Sequence, residues 1–296
     1  MKEQYDVVII GSGIAGMTAA IYLKRGGFNP LVIEEGTPGG QLNKITAIEN
    51  YPGFLKVDGP DLTAELYKQV ESLNIEYLFD KVIKTDLGKE LKTVTTLNKT
   101  ITCKYLVIAT GRLSKKLFTD DERYIGKGIS YCALCDGHLY KGQDVAVVGG
   151  GNSALEEALY LAKTSKTVTI IHRSETFRGD HTLIEQVKNA KNIKCVYNSN
   201  VKEYNIENGK LTSVLLDTGK TINVTGLFIS IGSVPSGEIF DVEKDKGFII
   251  VNDECMTNIE NVYACGDVIK KNVYQLTTAA SEGTIVAYSI IKKNKK

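Results

Sequence analysis

Cys132 and Cys135 are separated by two residues, are followed at once by Asp136, and lie between two glycine-rich segments, Gly11-Ser12-Gly13-Ile14-Ala15-Gly16 and Gly149-Gly150-Gly151-Asn152-Ser153-Ala154. A CxxC pair does one of two things: it closes and reopens as a disulfide, or it supplies half of a zinc site. Zinc takes four ligands, usually two such pairs or one pair with clustered His. No second CxxC occurs here, and Cys103, Cys195, Cys255 and Cys265 are scattered singly through apolar or mixed segments, where a buried, inert thiol is expected. Redox use is therefore the favoured chemistry, and no metal site is expected. Two nucleotide-type loops around one dithiol suggest an electron relay.

Each glycine loop needs a strand before it and a helix after it. Tyr5 to Ile10 is a short β-rich run entering the first loop, Met17 to Arg25 carries helical residues, and Leu31-Val32-Ile33-Glu34 reads as a second buried strand. In that context the three glycines allow a tight turn, close approach of backbone to a pyrophosphate, and close helix–strand packing. The helix N-terminus then offers its free N–H groups to the anion. Adding 138 to each number reproduces the unit: Gly11, Gly13 and Gly16 map to Gly149, Gly151 and Ala154, Ile21-Tyr22-Leu23 to Leu159-Tyr160-Leu161, and Leu31-Val32-Ile33 to Thr169-Ile170-Ile171. Two Rossmann-like units are predicted, the second loop contributing Gly149, Gly151, Asn152 and Ser153.

The two copies differ at the tip of the second strand. The first has Glu34, followed by Glu35, suited to hydrogen-bond a free ribose diol. The second has His172-Arg173, with Arg178 shortly after, and planar guanidinium forks suit a 2′-phosphate. The first site thus reads as FAD and the second as NADPH; the other reading makes Arg173 and Arg178 ordinary charged surface. Gly39-Gly40-Gln41-Leu42 and Glu49-Asn50-Tyr51-Pro52-Gly53 are turn-rich segments whose Gly40, Gln41 and Asn50 suit a planar ligand with donor and acceptor edges. Strands ending in Thr110-Gly111 and in Gly266-Asp267 complete the set, Asp267 being placed to hold a ribityl chain. Singly each is an ordinary turn. Their order carries the argument.

At 296 residues the chain is long enough for about two domains. A hydrophobic fraction of 43%, a charged fraction of 24% and a net charge of +1 describe an ordinary globular protein and exclude the electrostatic footprint of a nucleic-acid binder. Lys292-Lys293-Asn294-Lys295-Lys296 reads as a solvated tail, Met1 to Gln4 shows no targeting signal, and no apolar run approaches a membrane span. A cytoplasmic location without membrane contact is expected.

Through IIGSGIAGMTAA, GGQL, IENYPG, IATG, GISYCALCDG, VVGGGNSALEEALYL, HRSETFR and YACGD, the sequence resembles the low-molecular-weight thioredoxin reductases over essentially its whole length. The resemblance implies an α/β homodimer whose chain has two Rossmann-like, three-layer domains, the second inserted into the first. It implies an FAD domain at 1–112 and 243–296, and an NAD(P)H domain at 113–242 carrying the dithiol. It implies electron flow from NADPH through FAD and the dithiol to thioredoxin or a thioredoxin-like protein. Cys135 would lie next to the flavin, Cys132 would be the exchange thiol, Gln275 would face the flavin, and Asp136 would protonate the departing thiolate. Asp136 before Gly137 is also an ordinary turn former. One domain would rotate, with hinges near Arg112 to Leu117 and Pro235 to Asp245. His138 would be either a proton relay or an exposed loop residue.

Three positions depart from the family pattern: Ser174 replaces an Arg, Tyr274 replaces the Arg before Gln275, and Asn152 stands where Asp is common. They leave open a donor other than NADPH, namely NADH, ferredoxin or a deazaflavin. A non-enzymatic redox sensor is the alternative of a different class.

Overall fold

The computed structural model describes residues 4–45 and 48–294, the side chain of Glu122 excepted. Met1 to Glu3 and Lys295-Lys296, on which the readings of the two ends partly rest, lie outside the described residues. The chain divides into two compact units, Met1–Leu113 with Val234–Lys296, and Ser114–Ser233. The return crossing falls at 233/234 instead of the expected 242/243, because the segment after it is already pinned to the first unit. Ser236 N donates to Gly111 O at 3.0 Å, Thr110 Oγ1 donates to Ser236 O, and Phe240 and Val242 are buried in that unit's core.

In the first unit the Gln4–Ile10 strand lies between Pro30–Glu34 and Thr100–Ile108, all parallel, with Glu76–Phe79 outside Pro30–Glu34. The far end of Thr100–Ile108 pairs in parallel with Val262–Ala264, while its start pairs antiparallel with Lys92–Thr96. The unbroken apolar run Val7 to Ile10 is what a strand covered on both faces requires. Val7 and Ile9 pack into the core with the Ile14–Arg25 and Leu276–Asn294 helices, and Val8 and Ile10 into the opposite core with Leu106 and Phe240. The two helices touch through small residues: a Cβ on Gly283 would lie 2.3 Å from Ala15 O.

The second unit repeats this plan. Its parallel sheet runs in the order Ile193–Val196, Thr167–Ile171, Asp144–Val148, Gly226–Ile229 and Ile129–Ser130. Val145 and Val147 pack with Leu155, Ala158 and Leu161 of the Asn152–Ala162 helix. Ala146 and Val148 pack instead with Val201, Val214 and Leu216 of an antiparallel layer formed by Val201–Glu207, Lys210–Leu216 and Thr221–Asn223. The expected α/β fold of two three-layer units, the second interrupting the first, is the one observed. Among the described residues no helix is long and apolar enough to cross a membrane.

Candidate functional site

The repeat seen at an offset of 138 extends to individual hydrogen bonds. Gly11 N donates to Ile33 O at 2.8 Å and Gly149 N to Ile171 O at 3.0 Å; Met17 N donates to Gly13 O at 3.0 Å and Leu155 N to Gly151 O at 3.2 Å. Gly11 (φ +99°) and Gly149 (φ +151°) occupy backbone that disfavours a side chain, and a Cβ on either would run into the neighbouring strand end, 2.4 Å from Ala109 O or 2.2 Å from Ser230 O. Gly13 and Gly151 are glycines for another reason. Their backbone is ordinary extended chain, a Cβ on Gly13 would meet nothing nearer than Gly39 O at 4.0 Å, and one on Gly151 nothing within 4 Å. Neither helix start has a side-chain cap, so its first-turn N–H groups have no side-chain acceptor there. Both loops therefore fit a phosphate-bearing group, in the space that a side chain at either glycine would fill.

The tips of the two second strands carry different side chains in different surroundings. Glu34 Oε2 accepts from Ser12 N at 2.8 Å and Oε1 from Gly36 N at 2.9 Å, which fixes the carboxylate beside the first loop and leaves two of its roughly four acceptor positions for a diol. Glu35 turns to an exposed ion pair with Lys81 at 2.7 Å. At the second corner Arg173, Ser174 and Arg178 are exposed, neither guanidinium is paired with a carboxylate of the described chain, and Arg178 N donates to Gly150 O at 2.7 Å. His172 is buried beneath that loop: its ring fills the space a Cβ on Gly150 would need, and Nε2 lies 3.1 Å from Thr176 O. Burial, reinforced by the charges of Arg178 and Arg173, holds the imidazole pKa below its ordinary value. Asn152 clasps Asp180 from both sides, Nδ2 donating to Oδ2 and Oδ1 accepting from Asp180 N, each at 2.7 Å. An Asp in its place would face that carboxylate with one of its own, which explains the amide. Ser153 is exposed in the first turn of the same helix.

The residues assigned to the flavin come together in part. Asn50 Nδ2 donates to Gln275 Oε1 at 3.3 Å, joining two segments far apart in the sequence, and Gln41 Nε2 donates to Arg112 O at 2.8 Å. Gly40 starts the short helix that carries Gln41, and Gly39 N donates to Ser12 O at 2.8 Å, docking this turn on the first loop. Thr110 is engaged with Ser236, and Asp267 lies 3.2 Å from the Lys271 ammonium. Lys271 also contacts Glu282 at 2.9 Å, and Glu282 in turn accepts from Gly266 N at 2.8 Å. Burial raises the Glu282 pKa, and Lys271 opposes that rise. Tyr274, at the position where an Arg was expected, carries the Arg112 guanidinium over its ring at 5.1 Å. Lys271 and Glu282 belong to no glycine or cysteine motif, and Arg112 is marked in the sequence only as the edge of a hinge, so nothing in the sequence points to these contacts.

Cys132 and Cys135 form a disulfide. Cys132 precedes the one-turn Ala133–Asp136 helix, and its sulfur accepts from Cys135 N at 3.1 Å. The two residues are unequally exposed: Cys132 is 6% exposed, whereas Cys135 is exposed. Asp136 Oδ2 accepts from Ser130 Oγ at 2.7 Å, and Ser130 Oγ accepts from Cys132 N at 3.0 Å, so one unanticipated serine ties the acid to the first cysteine. His138 is exposed. The remaining cysteines contrast with this pair. Burial pushes Cys103 and Cys255 up to about 12 and raises Cys195 and Cys265, which keeps these thiols protonated and unreactive.

Comparison with known proteins matches residues 5–283 to the pyridine nucleotide-disulphide oxidoreductase family. A thioredoxin reductase of Mycoplasma pneumoniae is 40% identical over 98% of this chain and 96% of its own length, and one of Bacillus subtilis is 38% identical over 98% and 95%. The crystal structure of Lactococcus lactis thioredoxin reductase superposes with a TM-score of 0.88 at 36% identity, covering 98% of this chain and 99% of that one. With its twice-used nucleotide loop and single disulfide, the chain belongs to the pyridine nucleotide-disulphide oxidoreductase family, among the low-molecular-weight thioredoxin reductases.

Proposed function

We propose that this protein is a thioredoxin-disulfide reductase that passes an electron pair from NADPH, through FAD and the Cys132–Cys135 dithiol, to the disulfide of thioredoxin or a thioredoxin-like protein. The unit formed by 1–113 and 234–296 binds FAD through Gly11, Gly13, Gly16 and Glu34, with Gly40, Gln41, Asn50, Thr110, Gly111, Asp267 and Gln275 completing the site. The 114–233 unit binds NADPH through Gly149, Gly151, Asn152 and Ser153, with Arg173 and Arg178 taking the 2′-phosphate. His172 acts from below by supporting Gly150. Bound FAD supplies a two-electron carrier between the nicotinamide and the disulfide. The reading makes the protein a cytoplasmic homodimer, on the strength of its family membership.

Reduction of the disulfide gives two thiols. The Cys132 thiolate attacks one sulfur of the partner disulfide, and a mixed disulfide forms as the first partner thiolate leaves. Asp136, held by Ser130, donates the proton that thiolate takes. Cys135 then attacks Cys132, restoring the disulfide and releasing the second partner thiol, so two electrons and two protons have passed to the partner.

The observation that carries this reading is the pair of empty-sided glycines, Gly13 and Gly151, on either side of one disulfide in the sequence. A paired substitution tests it. Gly13→Val is expected to fold, since the extended backbone suits valine and its Cβ would meet nothing nearer than Gly39 O at 4.0 Å, but to purify without flavin absorbance. Gly151→Val is expected to retain FAD and lose flavin reduction by NADPH. Full flavin content in Gly13→Val, or normal NADPH reduction in Gly151→Val, contradicts the assignment.

A further inference from the structure

Asp121 is fully buried, at 0% exposure, in the segment leading to the first redox cysteine. Its carboxylate accepts four hydrogen bonds. Oδ2 receives Leu117 N at 2.6 Å and the Tyr131 hydroxyl at 2.7 Å; Oδ1 receives Phe118 N at 3.0 Å and the Tyr204 hydroxyl at 2.7 Å. The acceptor capacity of a carboxylate, about four, is thereby filled, which is the condition under which a buried charge is tolerable. The two tyrosines lead to different places. Tyr204 belongs to the Val201–Glu207 strand of the antiparallel layer and stacks edge-on against Phe118 at 4.7 Å, whereas Tyr131 is the residue immediately before Cys132. Burial and the bond to Asp121 raise the Tyr204 phenol pKa, so it stays a donor.

We propose that Asp121 is a positioning residue for the dithiol: through the Tyr131 hydroxyl it fixes the chain entering Cys132, and so keeps the two sulfurs within bonding reach when they are reduced. The inference rests on the reading of Cys132 and Cys135 as the redox pair. A tether on one side of a CxxC loop limits the conformations that separate the thiols and raises the effective concentration of each at the other. Removing it favours the dithiol over the disulfide. The Tyr204 bond, which serves the same carboxylate from the antiparallel layer, has no such lever on the cysteines.

The flavin-loaded protein is equilibrated anaerobically in glutathione buffers of graded ratio and quenched by alkylation, and the disulfide fraction of the 132–135 peptide is measured by mass spectrometry. Tyr131→Phe is expected to lower the equilibrium constant for disulfide formation by about 3- to 10-fold, a rise in potential of roughly 14 to 30 mV. Tyr204→Phe, which loses a bond to the same carboxylate, is expected to stay within about twofold of the parent. Asp121→Asn should move it at least as far as Tyr131→Phe, and if that variant fails to fold the tyrosine pair decides. An unchanged constant in Tyr131→Phe, or equal shifts in the two tyrosine variants, overturns the proposal. A parent pair that exchanges with no buffer overturns the redox reading itself, and this inference with it.

Discussion

Cys132→Ser is expected to lose disulfide turnover by a factor of at least about a thousand, while flavin content and flavin reduction by NADPH stay at parent levels. A serine hydroxyl is not ionised at neutral pH and cannot form the mixed disulfide, yet it fills nearly the same volume at a buried position. The structure makes the companion variant informative, because Cys135 is the more exposed of the two residues. If Cys132 is the exchange thiol, Cys135→Ser should trap as a stable mixed disulfide a thioredoxin that keeps one active-site cysteine, supplied as its thionitrobenzoate mixed disulfide, since no resolving thiol then remains on either protein, and Cys132→Ser should trap none. Trapping by Cys132→Ser alone would reverse the two roles, and normal thioredoxin reduction by Cys132→Ser would remove the pair from the reaction.

Replacing Arg173 and Arg178 together by Ala is expected to raise the KM for NADPH by roughly ten- to a hundredfold and to leave that for NADH nearly unchanged. Charge-assisted bonds to phosphate are worth about 1.5–3 kcal/mol each, and the lower end applies because both guanidinium groups are solvent-exposed. Ser174, exposed between them, supplies a hydroxyl where relatives supply a third cation. Ser174→Arg should therefore lower the KM for NADPH without a comparable effect on NADH. Steady-state assays with both donors check this. If the parent reduces its flavin equally slowly with each donor and neither variant changes that, the second unit is not a working nicotinamide site, and ferredoxin or a deazaflavin becomes the donor to test.

What was legible in the sequence was whatever depends on local backbone geometry. The two glycine loops, the strands that enter them and the CxxC are short-range patterns, and the offset of 138 holds down to matching hydrogen bonds such as Gly11 N to Ile33 O and Gly149 N to Ile171 O. Contacts between distant segments were not legible. Nothing near His172 in the sequence says that Gly150 leaves room for its ring, and Asn152 stands 28 residues from the Asp180 that explains it. Asp121 falls outside every motif, and Ser130, though inside GISYCALCDG, has nothing in its spacing that marks a role, because what distinguishes both is burial and the hydrogen-bond partners that converge on them. The division at 233/234 lies before the expected 242/243 for a similar reason. Pro235 to Asp245 is turn-rich as a string, but Thr110, Gly111 and the apolar core claim its first residues for the sheet they follow.

The central claim is that one chain holds two coupled two-electron centres, a flavin and the Cys132–Cys135 disulfide, both filled from NADPH. Anaerobic titration of the purified protein with NADPH, followed through the flavin absorbance, tests it most directly. The account predicts a flavin spectrum before any addition, and complete reduction only after about two equivalents of NADPH per chain, one for each centre. In Cys132→Ser the requirement should fall to about one. Protein that purifies without flavin, or a parent whose flavin is fully bleached by a single equivalent while the disulfide stays oxidised, would contradict it.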